Sequence, residues 1–92
     1  MKIEFDQDKS DRNVTERGLP FAKAAELNWA RAHYGEDVRR PYPERRFLAY
    51  GMIDDRLHAV CFTVITGGIR VISFRKANSR EVRRYEQRAD DG

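Results

Sequence analysis

Ile69-Arg70-Val71-Ile72-Ser73-Phe74-Arg75-Lys76-Ala77-Asn78-Ser79-Arg80-Glu81-Val82-Arg83-Arg84-Tyr85 is the stretch whose reading decides the fold. Its first seven residues are rich in β-branched and aromatic side chains, which suit a strand. Asn78 with Glu81 three residues later is the capping-box spacing, so a helix starts there. Val82 and Tyr85 lie on one face of that helix and Arg80, Arg83 and Arg84 on the rest. A strand therefore delivers Arg75, Lys76 and Arg80 to one strand-to-helix junction, where fixed cations and helix N-terminal amides suit phosphate groups.

Working back along the chain, Gly67-Gly68 reads as a hairpin turn with positive φ available at both positions. Leu57 to Ile65 is nearly continuous in apolar character, which predicts a central strand covered on both faces. Asp54-Asp55 is a second turn, and Arg46 to Ile53 is the strand before it. Pro41-Tyr42-Pro43 marks a loop, preceded by a short strand near Val38. Two helices are predicted upstream. The first runs over about 7–17, with Asp6 as cap and Gly18 at its end. The second runs over about 20–30, with Phe21 and Leu27 facing the core. Ile3 and Phe5 alternate with polar residues as a short edge strand. Strands and helices are segregated, which predicts an α+β fold: two N-terminal helices, an antiparallel sheet of about four strands and a C-terminal helix. Residues 88–92 are expected to fray.

The 92 residues suffice for one domain, 1–92, with a thin core. No apolar run approaches the roughly 20 residues that span a bilayer. The N-terminus lacks the apolar segment of a signal peptide. Cys61 is the only cysteine and sits in an apolar strand pattern, so it reads as a buried reduced thiol and the chain as cytoplasmic. Residues 1–38 hold six Lys and Arg against eight Asp and Glu, and residues 39–92 hold twelve against seven. The halves carry −2 and +5 of the net +3. A basic C-terminal half fits an anionic partner, either nucleic acid or an acidic protein.

The chain has no Walker loop, G-x-G-x-x-G, G-x-S-x-G or H-E-x-x-H. His33 and His58 have no ligand cluster near either, so neither a metal site nor a cofactor is expected. His58 has two readings: a satisfied, partly buried histidine, or a general acid and base at the end of a central strand. Arg46 and Arg75, on strand ends, are expected to surround one phosphate together with Arg80 and to stabilise charge in its transition state. Arg70, Lys76, Arg83 and Arg84 are candidates for RNA binding. The basic stripe on the last helix is open to three readings: a solvated face, an RNA track, or a dock for an acidic partner. Trp29, Tyr34, Tyr42 and Tyr50 are candidate base-stacking rings, with Trp29 and Tyr50 better explained by packing.

From about residue 3 to 86 the chain resembles the BrnT toxins of bacterial type II toxin–antitoxin systems. The resemblance is carried by Phe5-Asp6-x-x-Lys9-x-x-x-Asn13, Gly18, Phe21-x-x-x-Ala25, Arg46-Phe47 with Gly51, and Ile69-Arg70-Val71-Ile72-Ser73-x-Arg75-x-Ala77-x-x-x-Glu81-x-x-x-Tyr85. Glu16-Arg17 stands where that family often has Lys-His, and Phe74 where a small residue is common. The resemblance implies a fold similar to RelE-type ribonucleases and RNA cleavage that halts translation. It also implies neutralisation by a BrnA-like ribbon-helix-helix antitoxin, in a hetero-oligomer such as a heterotetramer. Joined to the arginine set, it predicts a metal-independent endoribonuclease with Arg46, His58, Arg75 and Arg80 as its catalytic candidates. The rival from another class is a non-catalytic module that binds nucleic acid or protein.

Overall fold

The first element is a strand of only three residues, β1 (Lys2–Glu4), ended by a helix cap. Asp6 accepts hydrogen bonds from the Asp8 and Lys9 amides at 2.9 and 3.2 Å and so starts α1 (Gln7–Arg17). The computed structural model describes the backbone of residues 1–91 and the side chains of residues 1–88. After α1 come two 3₁₀ segments, Phe21–Glu26 and Trp29–Arg31, then β2 (His33–Asp37), β3 (Arg46–Ile53), β4 (Arg56–Ile65), β5 (Gly68–Lys76) and α2 (Ser79–Asp91). The backbone of α2 is helical as far as Asp91, and Gly92, the last residue of the stretch expected to fray, lies outside the described residues.

The sheet is ordered β1-β5-β4-β3-β2. β1 pairs parallel to β5 and the other three pairings are antiparallel. The α+β class is as predicted, but the sheet is mixed and five-stranded rather than an antiparallel one of about four. The parallel pairing was invisible locally because β1 reaches β5 across more than 60 residues of chain. Its trace in the sequence is Gly68. The hairpin turn is Thr66-Gly67, with φ of +81° at Gly67, while Gly68 already belongs to β5. A Cβ on Gly68 would lie 1.9 Å from the Lys2 carbonyl oxygen, so the missing side chain is what lets β1 dock. Gly68→Ala is expected to cost about 1–3 kcal/mol by overpacking. The check is a lowered urea midpoint at unchanged slope, accompanied by faster amide exchange at Lys2–Glu4.

The predicted second α-helix is also corrected. Leu27 leaves helical geometry at ψ 142°, and the Asn28 amide donates to the Met52 carbonyl of β3 at 2.9 Å. Packing over β3 sets this course: a Cβ on Gly51 would sit 2.8 Å from Leu27 Cγ, so only glycine leaves room for that side chain. The early strand lies at His33–Asp37 and ends before Val38, which is exposed. It places His33 on a strand, opposite Tyr50.

One face of the sheet, with α1 and the 3₁₀ segments, encloses Leu19, Phe21, Leu27, Ala49, Ile53, Val60, Phe62, Val71 and Phe74. β4 is buried on both faces from Leu57 to Phe62, as its apolar run predicted. Cys61 is a buried free thiol whose pKa is pushed up by burial. The opposite face presents Arg46, Leu48, Tyr50 and Met52 of β3 beside Ala59, Cys61 and Thr63 of β4 and Arg70, Ser73 and Arg75 of β5. α2 is held near this face by Glu81, bonded to Tyr50, and by Tyr85, stacked on His33.

Candidate functional site

The junction between β5 and α2 is built as the spacing predicts. Asn78 Oδ1 accepts from the Glu81 amide and Glu81 Oε1 accepts from the Asn78 amide, both at 2.9 Å. The Glu81 carboxylate does more than cap. Arg75 donates to it through Nη1 and Nη2 at 2.8 and 2.9 Å, and the Tyr50 hydroxyl donates to Oε2 at 3.1 Å. The Glu81 side chain is only 10% exposed. The Arg75 fork is the main reason its pKa falls from 4.5 to about 2, with burial opposing and the Asn78 amide and Tyr50 assisting. Arg75 is therefore a clamped cation with a fixed guanidinium plane, not a freely swinging one.

This clamp makes stability depend on pH with a definite sign. The folded pKa of Glu81 lies below its ordinary value, so its contribution is fully present above about pH 4.5 and is lost as pH falls toward 2. Asp37, held at about 2 first by the Arg39 side chain, acts over the same window. Urea midpoints measured from pH 7 to pH 2.5 should fall below pH 4.5. Glu81→Gln should flatten that fall without removing it.

Beside the clamp runs a groove of about 280 Å³ between α1 and the edge of β5. β1 covers only Gly68–Arg70, so among the described residues the rest of that edge has no strand partner. Asn13 ties α1 to it, donating to the Phe74 carbonyl at 2.9 Å and the Leu19 carbonyl at 2.8 Å. Lys9, Arg12, Arg17 and Arg75 line the groove with a single carboxylate, Glu16. Lys9, Arg12 and Glu16 share one helix face by spacing. Helical spacing places these side chains on one face of α1, but only the fold sets that face against β5.

The structure does not gather the predicted arginines at one phosphate. Arg75 is level with Ala59 and Tyr50 across the sheet, and Arg46 lies four residues further along β3. Two strand spacings and four residues put their Cα atoms about 16 Å apart. Arg46 is bonded to Glu44 at 2.8 Å and stacked 4.1 Å over Tyr42. It lines a second recess with Arg70, itself bonded to Glu4 at 2.9 Å. Lys9 and Ile72 line both recesses and so join them.

His58 is buried and hydrogen-bonded, which fits the first of its two readings. It is 4% exposed, on the core face, with Nδ1 donating to the Arg56 carbonyl at 2.8 Å and its ring 5.6 Å from Phe74. Burial lowers its pKa and keeps it neutral. A general acid or base must reach the reacting atoms, and His58 lines neither the groove nor the Arg46 recess. Arg80 is exposed in the first turn of α2, outside the groove. Lys76 and Arg83 are exposed as well, and Arg84 lines a third recess on the far side of Glu81. Trp29 packs edge-on against Phe62 and under Tyr34, which accounts for it as core.

An α+β fold with a cationic groove along an open sheet edge is the class these observations define. A model of the BrnT family, ribonuclease toxins of type II toxin–antitoxin systems, matches residues 5–81, and the chain belongs to that family. It is accordingly a toxin of the ribonuclease kind, and its family implies an antitoxin partner. Comparison with curated proteins found no match, and neither did comparison with solved structures. Among the described residues no helix is long and apolar enough to cross a membrane, and no cluster of three or more His, Cys, Asp and Glu is placed to hold a metal ion.

Proposed function

We propose that the protein is a metal-independent endoribonuclease whose substrate phosphate sits in the groove between α1 and β5. The observation that carries this reading is that Lys9, Arg12 and Arg17 of α1 and Arg75 of β5 all line that groove. The RNA 2′-oxygen attacks the adjacent phosphorus in line and the bond to the 5′-oxygen breaks, leaving a cyclic phosphate and a 5′-hydroxyl. Glu16 takes the 2′-hydroxyl proton, and Lys9 protonates the departing oxygen. Arg75, held by Glu81, stabilises charge on the phosphoryl oxygens, and positioning with electrostatics supplies most of the rate. Arg46 and Arg70, each paired with a glutamate, line the adjoining recess beyond Lys9 and continue the path for the RNA backbone. A groove lined by one carboxylate, without histidine or cysteine, is a poor donor set for a divalent cation.

The toxin acts in the cytoplasm, where its RNA lies. A BrnA-like ribbon-helix-helix antitoxin covers α2 and the Arg75 junction, in a hetero-oligomer such as a heterotetramer. Exposed Arg80, Arg83, Arg84 and Arg88 on α2 support an acidic partner surface there. The test of the enzyme is cleavage of a defined single-stranded RNA by purified protein in EDTA. Wild type should cleave, and Arg12→Gln with Arg17→Gln should be slower by about 10–100-fold. Cleavage that stops in EDTA and returns with magnesium would overturn the metal-free mechanism.

A further inference from the structure

The third recess, about 220 Å³ between α2 and the β2–β3 edge, has no part in the cleavage chemistry. Its floor is Leu48 and Tyr50, and Gly35 leaves one side open, with nothing within 4 Å of where a Cβ would be. His33 and Tyr85 line it as a stacked pair, ring centroids 4.3 Å apart and planes 28° from parallel. The pair is anchored: Tyr85 donates to the Arg31 carbonyl at 3.3 Å, and β2 holds His33 opposite Tyr50. Arg84 and Arg88, one helical turn apart, also line the recess, together with the carboxylates of Glu36, paired with Arg45, and Glu81, paired with Arg75. Burial first, and then Arg88, lowers the pKa of His33, which keeps the imidazole uncharged near neutral pH.

Flat aromatic surfaces beside paired arginines suit a flat ring carrying a phosphate. We propose that this cleft holds one nucleobase of the RNA strand against the His33–Tyr85 stack, with its flanking phosphate between Arg84 and Arg88. The proposal rests on the RNA reading above and adds a base-binding subsite to it. Among the described residues the two sites share no lining residue and are linked through one ion pair. Glu81 lines the cleft, while Arg75, bonded to it, lines the groove. In this proposal the RNA strand leaves the groove over Arg75 and crosses the sheet face past Glu81 to the cleft. Stacking on a ring tolerates any base, and the arginines give the site a salt-dependent component.

The experiment titrates the intact protein with adenosine, guanosine, cytidine and uridine 5′-monophosphates, and with inorganic phosphate for comparison. Chemical shifts of the His33 and Tyr85 rings report occupancy. At least one nucleotide should bind about tenfold or more tighter than phosphate and shift both rings. Arg84→Gln with Arg88→Gln should weaken it about tenfold. Arg12→Gln with Arg17→Gln should leave it unchanged. Tyr85→Phe keeps the ring and should retain binding, whereas Tyr85→Leu should lose it. Binding no tighter than phosphate, or indifferent to the cleft variants, overturns the proposal, as does a cleft that prefers an acidic peptide to every nucleotide. RNA cleavage run in parallel separates the two readings. Unchanged cleavage rate and positions in the Arg84/Arg88 variant remove the subsite and leave the nuclease standing. Nucleotide binding in the cleft without any cleavage by wild type keeps the subsite and removes the nuclease.

Discussion

Arg75→Ala is expected to lower RNA cleavage by about 10²–10³-fold, the loss seen when a preorganised donor to a developing oxyanion is removed. Among the groove cations Arg75 is the one with a fixed guanidinium plane, because Glu81 grips both terminal nitrogens. Lys9, Arg12 and Arg17 project from exposed turns of α1 and must be ordered by the substrate. The substitution also strips Glu81 of its cation and should cost about 1–3 kcal/mol of stability, since a largely buried carboxylate loses a partner. Two controls separate these effects. Glu81→Gln removes the charge while keeping an oxygen for the Asn78 amide, so it tests the clamp alone. Arg75→Lys keeps charge but not the fork and should fall between wild type and alanine. The assays are single-turnover cleavage and a urea titration on the same preparations. A folded Arg75→Ala protein that cleaves at the wild-type rate would remove Arg75 from the mechanism.

Phe74→Ala should produce the largest loss of stability, about 3–5 kcal/mol. A chain of this length holds roughly 5–14 kcal/mol in total, so the variant loses a large share of its stability and should melt well below wild type. Phe74 is 1% exposed and fills the core between β5 and the His58 ring. Its own carbonyl takes the Asn13 bond that anchors α1. Removing the ring opens a cavity directly behind the groove, so the loss should appear in thermal melting and in cleavage together. Phe74→Leu fills most of that space and should cost less than about 1.5 kcal/mol. An alanine variant that melts within a few degrees of wild type would mean the ring is not core, against its burial.

Where the sequence reading succeeded, the cause was local. Arg46–Ile53 was bounded by charge and a turn, and β3 has those limits. Asp6, Gly18 and the Asn78–Glu81 box act on amides and carbonyls within a helical turn, so spacing was enough to place them. The buried state of Cys61 and the double-sided burial of β4 followed from an unbroken apolar run.

Where it failed, a distant neighbour decided. The helix expected over 20–30 breaks at Leu27 because Gly51, on another element, offers a slot for that side chain and β3 offers a carbonyl for the next amide. His58 alternates in a way that fits either face, and only pairing with Gly51 and Lys76 turned it to the core. Arg46 and Arg75 both end strands, yet the lengths and register of three strands hold them at opposite ends of a face. Lys9, Arg12 and Arg17 went unselected because their significance is their distance from β5, which no spacing within α1 records.

By itself, then, the sequence determined the strands and hairpins of residues 46–76, the helix caps and a basic C-terminal half. It also carried enough family pattern for residues 5–81 to be matched to a toxin family. The tertiary structure alone decided that β1 joins the sheet in parallel, that α1 lies along an open strand edge, and that Arg75 is gripped by Glu81. Periodicity and capping are written within one or two turns of chain, whereas a groove is made by surfaces that meet only after register and crossover are set.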